Sequence, residues 1–309
     1  MSCVNNILVV LDPDKEQQKA LNRALHLARI SQASLTLLLS IYDFSYEMTT
    51  MLAADERSTM RDSLINDRRV WIEDLLEGYN TRDLDINIEV LWHNRPYEAI
   101  IETAVKGEHD IIVKATHPHE GLAHLIFTPT DWHLLRKAPC LVLLVKEHDW
   151  PEDGKVLAAI HTTGEHAHHE SLNYRITEVA QRFATCLHSE VHLVNAYPGA
   201  PVTIAAEIPE FDTANYREVI EQNHRQALAE HAQLFSLPAA QQHVLEGLPE
   251  QVIPELAKEL DAELVVLGTI GRTGFSAALL GNTAEHVIEQ INCDLLAVKP
   301  AGFESPVKV

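Results

Sequence analysis

The sequence predicts an α/β protein of two tandem domains, each a doubly wound, five-stranded parallel sheet. Three observations carry that expectation: short apolar runs alternate with helical stripes, the C-terminal part of each half repeats, and a charged, proline-containing stretch separates the halves. A length of 309 residues suits two cores of about 150 residues each.

In the first half, residues 7–12, 34–43, 86–92, 110–115 and 140–146 are apolar and rich in Val, Ile and Leu. Near-continuous apolar runs mark strands buried on both faces, hence a parallel sheet covered by helices. Leu21, Ala24, Leu25 and Ala28 follow the first run at i, i+3, i+4, i+7, the spacing of a helix with one buried face. Residues 55–79 and 96–107 are further helix candidates. The second half repeats the alternation from Lys155, with Leu172, Ile176, Val179, Ala180 and Phe183 as its first helical stripe. Right-handed crossovers between parallel strands favour the order 3-2-1-4-5, with ligands expected beyond the carboxyl ends of strands 1 and 4.

Residues 94–146 lie over 247–299 without a gap, at a constant offset of 153. Pro96 falls on Pro249, Ile100 on Ile253, Thr116 on Thr269, Thr130 on Thr283, His133 on His286 and Cys140 on Cys293. Such a repeat marks a duplicated unit. Residues 147–155, with Pro151 and Gly154, read as the linker, which gives domains 1–148 and 149–309. The last strand of each half is a sheet edge, and unprotected edges invite pairing. The halves are therefore expected to pair through these strands as an internal pseudo-dimer, with Lys146 and Lys299 at the strand ends and a homodimer as a further option.

Charge narrows the partners. With 24 basic and 45 acidic residues the net charge is −21, a field that repels nucleic acid and anionic membranes. The N-terminal residues lack a basic targeting region and no apolar run reaches the roughly 18 residues of a membrane span, so a cytoplasmic protein is expected. Cys3, Cys140, Cys186 and Cys293 are scattered without metal or disulfide spacing and read as reduced thiols.

The chemistry-bearing segment is the turn after the fourth strand of the second half. Gly268, Gly271, Gly274 and Gly281 place four of the chain's 12 glycines there, and Asn282 and Thr283 open a helix behind them. Glycine lets backbone N–H groups approach a phosphate, and a helix start adds free amides and the positive end of a dipole. The spacing Gly268-x2-Gly271-x9-Gly281 resembles the ATP-binding signature of the universal stress protein family, and the resemblance covers both halves. Segments 42–50, 128–137 and 268–274 look like that family's tandem form. The resemblance implies a Rossmann-like fold of the adenine nucleotide alpha hydrolase type, a stress role, and ATP or a related nucleotide held by Gly268, Gly271, Gly281, Asn282 and Thr283. This chain departs from the signature twice: Asn282 replaces the hydroxyl residue, and the first strand of this half ends in His161 where the family has Asp.

The first half has the complementary defect. Asp12 is the family aspartate, but Ala115, Pro118 and Thr128 stand where the glycines should be, and proline has no N–H to offer. Lys114 interrupts an apolar central strand, where a charge is costly unless paired. An ion pair with Asp12 on the neighbouring strand is the expectation, and an anion site of Lys114 with His117 the alternative. Thr128 and Pro129 read as an N-cap and first helical residue.

His161, His166, His168 and His169 read as solvated surface, so no metal is expected, and no spacing supports a catalytic constellation. A non-catalytic protein is favoured over a slow ATPase. The apolar segments 44–57 and 198–212 follow the second strands and have the length of lids, which leaves a binding module for an apolar or acyl-containing small molecule as the alternative.

Overall fold

The computed structural model describes residues 2–47, 53–118, 125–146, 150–162, 167–199, 212–269 and 282–308. The chain divides into two compact units. The first comprises Ser2–His117, Phe127–Val145 and Ser305–Val309; the second comprises Lys146–Glu304 together with Pro118–Ile126.

The first unit contains β1 (Asn6–Val10), α1 (Lys19–Ser31), β2 (Ser34–Ile41), α2 (Phe44–Glu47), α3 (Ala54–Glu77), β3 (Ile86–Trp92), α4 (Pro96–Lys106) and β4 (Ile111–Ala115). Two short strands, β5 (His117–Pro118) and β6 (Leu125–Ile126), flank residues 119–124; α5 (Pro129–Lys137) and β7 (Leu141–Val145) complete the repeat. Its parallel sheet runs β3-β2-β1-β4-β7, the predicted order. Ile7, Leu8, Ile111, Ile112, Leu143 and Leu144 are fully buried, as strands covered on both faces require.

The second unit contains β8 (Lys155–Ala159), α6 (Ala167–Leu187), β9 (Glu190–Tyr197), α7 (Thr213–Gln233), β10 (Gln242–Glu246), α8 (Pro249–Glu259), β11 (Leu264–Gly268), α9 (Asn282–Gln290) and β12 (Asp294–Val298). The order β10-β9-β8-β11-β12 reproduces that of the first unit.

The duplication extends to backbone detail. Glu108 after α4 and Asp261 after α8 both adopt left-handed conformations, with φ of 50° and 53°. The next residue closes each helix in the same way: His109 N–H donates to Ala104 at 2.9 Å and Ala262 N–H to Ala257 at 2.8 Å. Gln32 and His188, which follow α1 and α6, share φ values of 56° and 55°. These left-handed residues satisfy last-turn carbonyls and turn the chain towards the next strand. None is glycine, so glycine could not mark these turns in the sequence.

The helical stripes are where the periodicity puts them. Leu21, Ala24, Leu25 and Ala28 of α1 are buried, as are Ile176, Val179, Ala180 and Phe183 of α6. No helix among the described residues is long and apolar enough to cross a membrane.

Candidate functional site

The switch point of each unit is the gap between its first and fourth strands, where crossovers leave in opposite directions. In the second unit β8 and β11 pair from Val156 with Leu264 to Ala159 with Leu267. Gly268 ends β11, and Thr269 follows with its N–H donated to Val298 at 3.2 Å. The next described residue is Asn282, the first of α9. Gly268, Asn282 and Thr283 therefore sit at the ends of the two elements that frame the turn. Gly271 and Gly281 lie outside the described residues.

Gly268 is explained by packing. A Cβ there would come within 2.8 Å of Leu172 Cδ2 and 3.3 Å of Ile176 Cδ1, both from α6. This helix starts early: α6 has 21 residues against 13 in α1, and Leu172 belongs to the extra N-terminal part that crosses the end of β11.

Thr269 was passed over in the sequence because it reads as one repeat identity among many. It is fully buried, and its Oγ1 has no hydrogen-bond partner among the described residues. Its counterpart Thr116 spends its hydroxyl on the Val145 carbonyl at 3.1 Å. The same residue type is satisfied internally in one repeat and has no described hydrogen-bond partner for its hydroxyl in the other.

On the other side of the gap, β8 runs out at His161. Asn173 of α6 holds that residue by its backbone, accepting from the N–H at 3.1 Å and donating to the carbonyl at 2.7 Å. Gln18 does the same for Asp12, with distances of 3.1 and 2.6 Å. Neither amide is marked by a motif, since they come from different residue types at different offsets. A buried polar chain extends from this strand end: Asn195 Nδ2 donates to Ile160 O at 3.3 Å, and its Oδ1 lies 2.6 Å from His224 Nδ1. Burial and the nearby His161 push the His224 imidazole below its ordinary pKa, so it stays neutral at pH 7.

The first unit corrects one expectation. The carboxylate that meets Lys114 is that of Asp131, with Nζ 2.8 Å from Oδ1, where the sequence pointed to Asp12. Lys114 stands opposite Val10 on β1, two residues short of Asp12, and its side chain reaches instead to the first turn of α5. Asp131 Oδ2 also accepts from the Thr128 N–H at 2.7 Å and the Thr128 hydroxyl at 2.8 Å, forming a capping box at the start of α5. Asp131 is fully buried and Lys114 is 9% exposed. The His117 side chain lies outside the described residues, and so does His166, with the side chains of His168 and His169. Among the described residues no group of three or more His, Cys, Asp or Glu could hold a metal ion.

Of the lid segments, residues 48–52 and 200–211 lie outside the described residues. The described start of the first forms α2, with Tyr42 and Tyr46 ring centroids 5.8 and 5.3 Å from that of Trp92 and Phe44 66% exposed.

The sequence matches the Universal stress protein family over residues 4–146 and 169–299. It is 47% identical over 310 residues to Universal stress protein E of Salmonella typhi and to that of Escherichia coli K12, covering 100% of this chain and 98% of each relative. A solved structure from Pseudomonas aeruginosa UCBPP-PA14 superimposes with a TM-score of 0.71 at 31% identity, covering 96% of this chain and 94% of that one.

Proposed function

The chain belongs to the universal stress protein family, and on that premise we propose that it is a tandem, cytoplasmic stress-response protein whose second repeat binds ATP or a related adenine nucleotide. Gly268, Gly271, Gly281, Asn282 and Thr283 hold the phosphates in this reading. One observation carries it: where the first repeat joins Lys114 of β4 to Asp131 at the start of its last helix, the second has Leu267 and Ala284, so that ion pair is not repeated at the start of α9. The buried Thr269 hydroxyl adds a donor at the same strand end. The side chain of His161, at the end of β8, removes the negative charge that the family aspartate would bring.

Calorimetric titration of the full chain with ATP, ADP and AMP tests this. Saturable binding that Gly281→Val removes supports the reading; unchanged binding in that variant, or none in the parent, overturns it. Phosphate release, compared between the parent and Gly271→Pro, separates a binding protein from a slow ATPase. The exposed Phe44, in the segment whose Tyr42 and Tyr46 rings meet Trp92, favours a second reading, an apolar or acyl-containing ligand in the first repeat. Native mass spectrometry of the purified protein tests it through the mass of what co-purifies.

A further inference from the structure

The two repeats place a strand end and a helix start in the same arrangement, yet the first fills the space between them from within. The Thr128 N–H, which matches that of Gly281 in the repeat, already donates to Asp131 Oδ2 at 2.7 Å. The Thr128 hydroxyl, at 2.8 Å, is committed to the same oxygen. Lys114 supplies the positive charge at 2.8 Å from the other oxygen. A backbone amide, a hydroxyl and an ammonium converging on one carboxylate is the donor set that recognises a small oxyanion at a helix start.

We infer that Asp131 is a built-in anion: its carboxylate takes the place that a free tetrahedral oxyanion would occupy between Lys114 and α5, so the intact first repeat is closed to phosphate. Shortening this one side chain opens an oxyanion site that the native chain lacks. The Lys114 side chain is 11% exposed with the pair formed. The pairing also explains a lysine in a strand whose other buried residues are Ile111, Ile112 and Val113. The second repeat keeps neither half of the pair. This inference does not rest on nucleotide binding by the second repeat, because its test compares variants with the parent protein.

The test is the melting temperature of the full chain in sodium sulfate and in sodium chloride at equal ionic strength. Asp131→Ala leaves Lys114 buried without its counter-charge and is expected to melt about 10 °C lower in chloride. Sulfate at tens of millimolar is expected to restore at least half of that loss, while the parent, including whatever its second repeat contributes, shifts far less. The double variant Lys114→Leu with Asp131→Ala, which copies the second repeat, is expected to recover stability in chloride and to respond to sulfate only as the parent does. Should Asp131→Ala fail to fold, Asp131→Ser is read in the same way, because it also vacates the place of the carboxylate while keeping a side chain suited to a helix start. Equal sulfate responses in the single variant and the parent overturn the inference, as does a double variant that gains more from sulfate than the parent does.

Discussion

Asn173 holds His161 by both backbone groups, and Gln18 holds Asp12 in the same way. In each repeat an amide side chain, Gln18 just before α1 and Asn173 in the second turn of α6, clamps the residue at which the first strand leaves the sheet. Strand ends have lost their ladder partners, so the clamp supplies one donor and one acceptor that the next strand no longer provides. The direction in which residue 161 or 12 points over the switch point is fixed by this contact.

Removing either amide should therefore loosen the site. Asn173→Ala is expected to cost about 1 kcal/mol, through the loss of two part-buried hydrogen bonds to the His161 backbone, and to weaken nucleotide binding. Gln18→Ala is expected to cost less, because the Asp12 carbonyl keeps the Lys15 N–H at 3.3 Å, and to leave that binding unchanged. Urea unfolding and calorimetric titration of both variants measure the difference.

The two threonines offer a matched comparison. Thr116→Val loses the bond to the Val145 carbonyl and should destabilise by about 1 kcal/mol. Thr269→Val gives up no bond within the described residues, so stability should change little, while ATP affinity falls about tenfold if the hydroxyl contributes a typical hydrogen bond. An unaltered ATP affinity in Thr269→Val would remove this residue from the site.

Acid should destabilise the chain through its buried histidines. His109, His192 and His224 are each 6% exposed. Burial is the leading cause that lowers each of their pKa values from 6.5. Below pH 6.5 the unfolded chain then binds more protons than the folded one, so their contribution is complete above about pH 6.5 and is lost as the pH falls through the folded values. His192 and His243 add to this: their ring nitrogens are 3.0 Å apart, and the His243 pKa is lowered first by burial and then by its neighbour. His243→Gln should flatten the fall in melting temperature between pH 7 and 5.

Lys146 gives a prediction at the alkaline end. It is 2% exposed, donates to the carbonyls of Ile288 at 3.1 Å and of Ile291, and burial lowers its pKa to about 8. A cation at these last carbonyls complements the helix dipole of α9. Between about pH 8 and 10.5 the unfolded chain holds a proton that the folded chain has released, so this residue makes stability rise with pH in that window. Lys146→Met should abolish the rise, which melting curves from pH 7 to 10 would reveal.

Gly268 tests packing against function. Gly268→Ala pushes on the tip of Leu172, which can move aside, whereas Gly268→Val adds branches that also meet Ile176 and should cost about 1–3 kcal/mol. Pairing Gly268→Val with Leu172→Ala should recover most of that loss, as urea unfolding can measure.

By itself the sequence determined the strands, their order and the duplication. Each rests on a local pattern: apolar runs such as residues 111–113, the stripe of α1, and the matched Pro96 and Pro249 at the starts of α4 and α8. It also marked Lys114 as a charge that needs a partner, because burial has the same cost whatever the fold. Only the tertiary structure decided which partner: Asp12 is near in strand order, but Asp131 is where the extended lysine side chain ends. The clamps of Gln18 and Asn173, the spent hydroxyl of Thr116 and the packing demand at Gly268 were likewise hidden. Each is set by how close two distant segments come, and spacing along the chain does not carry that distance.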